Sequence, residues 1–251
     1  MCRPFARPLV TAVVTALALL APASVVPAEA ATALPQASSR WRACTKSLDG
    51  VRTSIAKAQR TVTIVNQTSK TRARVSFWVR TNSTCTLSRL FLTRAARLGY
   101  GGTVDGTRRK QGSGTTPLGT YTMTEAFGNG PAPAHYLPYH RVKRGDYWVG
   151  DNRSRYYNSR RNESQGGFRH GLSSASANGS EYLPDYGRQY RYSVVINFNR
   201  APDYRKAYRG TGIFLHVRGS GATGGCVAVT AGQMRTVLAY LKPGDRITIA
   251  R

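Results

Sequence analysis

The stretch Ile213-Phe214-Leu215-His216-Val217-Arg218-Gly219-Ser220-Gly221-Ala222-Thr223-Gly224-Gly225-Cys226-Val227 decides how this chain of 251 residues is read. Its first five residues are β-branched, aromatic and aliphatic around a histidine, the composition of a buried strand. A polar, glycine-rich loop follows, and two glycines lead into Cys226. A histidine and a cysteine brought together can form a thiolate–imidazolium pair, an activated nucleophile for acyl transfer. The strand end would fix the ring of His216, and the turn would expose Cys226. Gly224 and Gly225 lack a Cβ, which permits a tight turn and the close approach of a substrate carbonyl. The N–H groups of Gly225 and Cys226 could then receive an oxyanion. A thiol so paired alkylates at near-neutral pH faster than an unperturbed thiol of pKa about 8.5. The alternative is a core cysteine beside a buried histidine.

Working outward, strands dominate. Ser193–Asn199 and Gly212–Val217 read as strands, as do Thr61–Val65, Arg74–Val79, Ser88–Leu92, Thr120–Thr124 and Arg246–Ala250. Residues 66–71 read as a turn region. After the cysteine, Thr230 with Gln233 is a capping box. Met234, Val237, Leu238 and Leu241 then give a short amphipathic helix. Leu48, Val51 and Ile55 suggest weak helical periodicity over Leu48–Gln59. Residues 128–189 form a long polar stretch rich in Tyr, Arg, Asn and Gly. Its interleaved aromatics point to an ordered, substrate-facing insertion. The expected fold is mainly β with a few short helices.

The N-terminus reads as a targeting segment. Arg3 and Arg7 precede an apolar run from Leu9 to Leu20, and Ala28-Glu29-Ala30 or Ala31-Thr32-Ala33 offers a cleavage site. The run is short for a membrane span, and no later candidate anchor appears. Residues 1–31 are therefore expected to be a signal peptide of a secreted protein. A lead-in with a possible short helix would follow at 32–60, then one catalytic domain at 61–251. Without Cys2, three cysteines remain, Cys44, Cys85 and Cys226. An odd number in an oxidising compartment leaves one thiol free. Pairing of Cys44 with Cys85 would leave Cys226 free, whereas pairing of Cys226 with either would end the catalytic reading.

The formal net charge is +26. Such a field attracts polyanions and is sensitive to salt, so anionic wall polymers, anionic lipid headgroups or extracellular DNA are candidate partners; the alternative is an arginine-rich solvated coat. No nucleic-acid motif is visible, and no specific nucleic acid is expected. His135, His140 and His170 lack Cys or acidic partners at metal-ligand spacing, so they read as surface residues, and no metal or cofactor is called for. A serine-nucleophile elbow, a P-loop and a dinucleotide fingerprint are all missing. Asp146, Asp151, Glu181 and Asp185 form no evident acid/base pair, which argues against glycoside hydrolysis.

From Thr61 to Arg251 the chain resembles the L,D-transpeptidase catalytic-domain family (YkuD-type), and its secreted actinobacterial branch in particular. The segments that carry the resemblance are Gly112 to Tyr121, Trp148-Val149-Gly150-Asp151 with Tyr157-Asn158, the strand Val194–Asn199, and Ile213–His216 followed by Gly225-Cys226. The resemblance implies an L,D-transpeptidase-like β-sandwich acting on peptidoglycan stem peptides. Cys226 would be the nucleophile and His216 the base, oriented by the backbone carbonyl of Val217, with Gly225 contributing an oxyanion N–H. Trp148, Asp151, Tyr157 and Asn158 would lie on the pocket rim, with packing as the alternative role. The implied reaction is transfer of the stem acyl group through a thioester with release of D-alanine, or carboxypeptidase activity with water as acceptor. A non-catalytic cationic wall-binding protein on the same fold is the competing reading. The chain departs from the family pattern at Gly224, where a second histidine is usual, and at Ala228, where Arg or Asn is usual.

Overall fold

The structure is a computed structural model that describes residues 41–251, Tyr204 excepted. The expected signal peptide and the first part of the lead-in, 32–40, lie outside the described residues.

A first hairpin, β1 (Cys44–Leu48) and β2 (Val51–Ile55), replaces the helix expected from Leu48 onward. Positions 48, 51 and 55 fit a helical period, but Val51, Thr53 and Ile55 alternate inward with Arg52 and Ser54 outward, which is the two-residue period of a strand. Asp49 and Gly50 both adopt positive φ, 48° and 83°, the turn that matches strand twist in a two-residue hairpin. The hairpin packs on Val62 and Ile64. Cys44 is disulfide-bonded to Cys85, which leaves Cys226 as the free cysteine among the described residues.

The main sheet begins with β3 (Thr61–Ser69), β4 (Arg72–Arg80) and β5 (Leu87–Arg97) as an antiparallel meander. The expected turn at 66–71 shrinks to Lys70 and Thr71 because both strands run on past the core. Short β6 (Thr103–Asp105) leads to long β7 (Thr116–Gly128), which extends the expected Thr120–Thr124 at both ends. The insertion contributes β8 (Tyr139–Arg141), β9 (Asp146–Trp148), β10 (Arg160–Asn162) and β11 (Glu181–Tyr182). The last three form a separate small sheet in the order β10-β9-β11. The chain then returns through β12 (Ser193–Ile196), β13 (Phe214–Val217) and β14 (Val227–Val229). Helix α1 (Ala231–Tyr240) and β15 (Arg246–Ala250) complete it.

The order β12-β13-β14-β5-β4-β3-β15-β7 closes on itself, because β12 also pairs with β7. The enclosed core includes Val75, Phe77, Met123, Val194, Leu215 and Ile247, each fully buried. Burying one such side chain contributes about 1.5–3 kcal/mol. Helix α1 adds Met234, Val237 and Leu238 to that core. Its N-terminus carries the expected capping box: Gln233 N–H donates to Thr230 Oγ1 at 3.3 Å, and Thr230 N–H donates to Gln233 Oε1 at 2.9 Å.

Candidate active site

Strand alternation places the two suspected residues. In β13, Leu215 and Val217 point into the barrel core, while Phe214 joins a second buried cluster on the opposite face. His216 shares the face of Phe214 by the two-residue period. The parallel partner β14 sends Val227 and Val229 into the core. Cys226, just before it, joins the Phe214 cluster together with Phe127, Trp148 and Tyr190. In register, His216 stands opposite Ala228, whose small side chain lies on the same face.

His216 and Cys226 line one cavity of about 200 Å³ together with Glu181, Gln189, Tyr190 and the 219–224 loop. His216 Nδ1 lies 2.9 Å from the Val217 carbonyl, the contact the resemblance implied. With a proton on Nδ1, that contact leaves Nε2 as the basic nitrogen. Tyr190 packs edge-on against the imidazole at 5.4 Å. The thiol is held otherwise than expected. Cys226 Sγ accepts the Phe214 N–H at 3.3 Å and donates to the Gly212 carbonyl at 3.2 Å, and these backbone groups take the place of a direct bond to the imidazole.

The resting pair is neutral. Burial brings the imidazole down to about 4, against the pull of the Val217 and Gln189 carbonyls. Burial, reinforced by Glu181, pushes the thiol up to about 12, while the Phe214 N–H and Arg109 act in the opposite sense. The ion pair expected from the sequence is therefore not the ground state, because the aromatic cluster withholds water from both groups. Cys226 in the folded protein is expected to alkylate with iodoacetamide at pH 7.5 at least about tenfold more slowly than an unperturbed thiol. A folded-state rate equal to that of the unfolded protein would contradict this.

Gly225 also differs from expectation. Its N–H donates to Thr223 Oγ1 at 3.2 Å and so is not directed at a substrate oxyanion. Its φ of +132° and its neighbours explain the glycine: a Cβ there would meet Arg109 Nη2 and the Thr115 carbonyl, each at 2.9 Å. Arg109 is a site residue the sequence did not single out. It is buried, its Nε donates to Thr115 O at 2.7 Å and its Nη1 to Arg209 O at 3.1 Å. Position 228 is alanine, and Arg109 is a buried cation whose charge acts on Cys226.

The expected rim residues stand behind the cavity instead of lining it. Trp148 and Asn158 are buried, and Trp148 Nε1 donates to Asn158 Oδ1 at 2.9 Å. Asn158 Oδ1 also accepts the Gly212 N–H at 3.1 Å, and its Nδ2 donates to the Phe198 and Asn199 carbonyls. Tyr157 donates to Gln111 Oε1 and receives the Gly210 N–H. Asp151 is tied to Arg169, whose hydrogen bonds hold it down at about 2. Asn158, braced by Trp148, carries Gly212, Tyr157 holds the nearby Gly210, and the Gly212 carbonyl holds the thiol. Asp146 is buried between His140 Nε2 at 2.7 Å and Asn162. That contact gives His140 an acidic partner, which the sequence did not reveal.

Glu181 emerges from the insertion as a cavity residue. Its Oε2 accepts the Tyr190 hydroxyl at 2.8 Å. Burial raises its carboxyl to about 7, opposed by Tyr190 and Arg109. Between the ordinary glutamate range and about 7, the folded state keeps a proton that the unfolded chain releases. This contribution to stability is present at low pH and lost as pH rises through that window. Glu181→Gln is therefore expected to gain on the wild type between pH 4.5 and pH 8, by up to about 3 kcal/mol. Urea denaturation at both pH values reads the difference, and an equal difference at both would contradict it.

Among the described residues, no group of three or more His, Cys, Asp or Glu is placed to hold a metal ion, and no helix is long and apolar enough to cross a membrane.

A mainly β domain with a cysteine and a histidine opening into one cavity defines the class of site. The family profile for the YkuD L,D-transpeptidase catalytic domain matches residues 59–249, and the chain belongs to that family. Among solved structures, L,D-transpeptidase 1 of Mycobacterium tuberculosis aligns at 14% identity with a TM-score of 0.34, over 80% of this chain and 67% of that one. The comparison with curated proteins returned no match.

Proposed function

We propose that the protein is a secreted cysteine acyltransferase of peptidoglycan stem peptides, with Cys226 as nucleophile and His216 as base. The observation that carries this reading is the placement of an imidazole on one strand and a free thiol just ahead of its parallel neighbour, both opening into one cavity. In the first half-reaction, Cys226 Sγ attacks the carbonyl of the diamino acid at position 3 of a tetrapeptide stem. The thiol proton passes to His216 Nε2. The peptide C–N bond then breaks, the proton is returned to the amine, and D-alanine leaves. Because the resting pair is neutral, proton transfer accompanies attack. The Phe214 N–H and the buried Arg109 favour the charge that develops on sulfur. In the second half-reaction, an acceptor amine resolves the thioester to a cross-link, or water resolves it to a free tripeptide. The net positive charge would hold the protein among anionic wall polymers.

The test is mass spectrometry of a defined tetrapeptide muropeptide incubated with the reduced protein and, separately, with Cys226→Ala. D-alanine release with a cross-linked dimer or a tripeptide, absent with the variant, is the expected result. No product from either protein would return the chain to the non-catalytic wall-binding reading.

A further inference from the structure

Glu181 is a carboxylate in the cavity that acylation does not use. Strand β11 holds it there by pairing Glu181 with Trp148 of β9, the residue that braces Asn158. Its Oε2 is taken by the Tyr190 hydroxyl, and Tyr190 packs on both His216 and Phe214. Its Oε1 lies against Gly212, where a Cβ would stand 3.1 Å from it. The Gly212 carbonyl in turn holds the Cys226 thiol. The carboxylate thus adjoins the peptide unit on which the nucleophile rests, with one oxygen anchored and the other without a hydrogen-bond partner among the described residues. The groups that face it are Tyr190, Arg109, Tyr186 and Cys226.

We propose that Glu181 receives the protonated amine of the acceptor strand and takes its proton, so that the amine reaches the thioester as a nucleophile. The assignment rests on the reading of Cys226 as the acylated thiol. An acceptor ammonium has two protons to lose. The first passes from nitrogen to the Glu181 carboxylate and frees the lone pair. The C–N bond then forms as the second N–H proton passes to His216 Nε2. The C–S bond breaks, and the imidazolium returns its proton to the departing thiolate. Glu181 releases its proton to solvent through the cavity. Water has only one proton to lose before the thioester collapses, so His216 alone serves hydrolysis. An imidazole brought down to about 4 is a weak holder of the first proton, and a carboxyl raised to about 7 is a better one. Glu181 therefore favours amine over water and disposes the enzyme to cross-linking.

The experiment compares two acceptors on the acyl-enzyme at pH 7.5: a muropeptide bearing an alkylammonium, and hydroxylamine, which is largely unprotonated at that pH. The readout is the ratio of muropeptide capture to hydroxylamine capture, by mass spectrometry of the products. In Glu181→Gln the ratio is expected to fall about 10- to 100-fold. Glu181→Asp, which keeps a carboxylate, is expected to stay within about fivefold of the wild type and serves as the reference if the glutamine variant does not fold. An unchanged ratio in Glu181→Gln, or an aspartate variant as impaired as a glutamine variant that folds, would overturn the assignment. So would an aspartate ratio more than tenfold below the wild type. Failure of the wild type to form any acyl-enzyme would overturn the proposed function, and this inference with it.

Discussion

His216→Ala is expected to lower D-alanine release from a tetrapeptide stem by about 10²- to 10⁴-fold, the usual contribution of a positioned general base. Burial sets both protonation states. The thiol is pushed up to about 12, so almost none is ionised at neutral pH without a base at hand. His216 is brought down to about 4, so it is unprotonated and ready to accept. The Val217 carbonyl on Nδ1 fixes the ring and leaves Nε2 to take the proton. The sign of the pH dependence follows. From about pH 5 to 9 both groups stay in their competent neutral forms, so acylation should show no steep limb across that range, with only a modest fall near pH 7 as Glu181 ionises beside the thiol. It should fall below about pH 4 as the imidazole protonates. The single-turnover release of D-alanine as a function of pH checks both statements. A variant with near wild-type rate, or a steep rise of the wild-type rate centred on pH 8 to 9, would contradict a neutral thiol activated by His216.

Asn158→Ala is expected to destabilise the fold by about 4 kcal/mol or more. It should lower the melting temperature by roughly 10 °C. The amide makes four hydrogen bonds in a buried setting: it accepts from Trp148 Nε1 and the Gly212 N–H, and donates to the Phe198 and Asn199 carbonyls. Truncation leaves all four partners unsatisfied, and an unmade buried bond costs more than a made one contributes. The residue also sits at φ +59°, a region where asparagine is far better tolerated than alanine. Because Asn158 holds Gly212, and Gly212 holds the thiol, activity should fall more steeply than stability alone requires. Thermal denaturation followed by circular dichroism checks the first effect. A loss below about 1 kcal/mol would show that the amide network does not carry Gly212.

What the sequence made legible, and what it did not, divides along range in the chain. The strand ending in His216, the turn carrying Cys226 and the capping box at Thr230 are local patterns, and each appears where the residues place it. Family membership was legible because several such patterns recur in order. At Cys44–Ile55 the helical spacing of Leu48, Val51 and Ile55 misleads, and the Asp49-Gly50 turn between Leu48 and Val51 decides for a hairpin. Trp148, Asp151, Tyr157 and Asn158 were assigned to a rim because a motif marks which residues matter but not which way they face. Their partners come from distant parts of the chain, as Asn158 does with Gly212 and Phe198. Arg109 and Glu181 were illegible for the same reason: a loop and an insertion deliver them to Cys226 only after folding. The neutral state of the His216–Cys226 pair depends on an aromatic cluster gathered from β7, β9, β13 and residues near 190. No local spacing encodes that desolvation.

The measurement that bears most directly on the account is intact-protein mass spectrometry of the reduced protein after rapid acid quench from a tetrapeptide stem without an amine acceptor. The account predicts an adduct equal to the stem minus D-alanine. It should localise to the peptide containing Cys226, be released by hydroxylamine, and be missing from Cys226→Ser at the same quench time. An adduct that persists in the variant on another residue, or substrate consumed by the wild type with Cys226 never acylated, would contradict the assignment of Cys226 as the nucleophile.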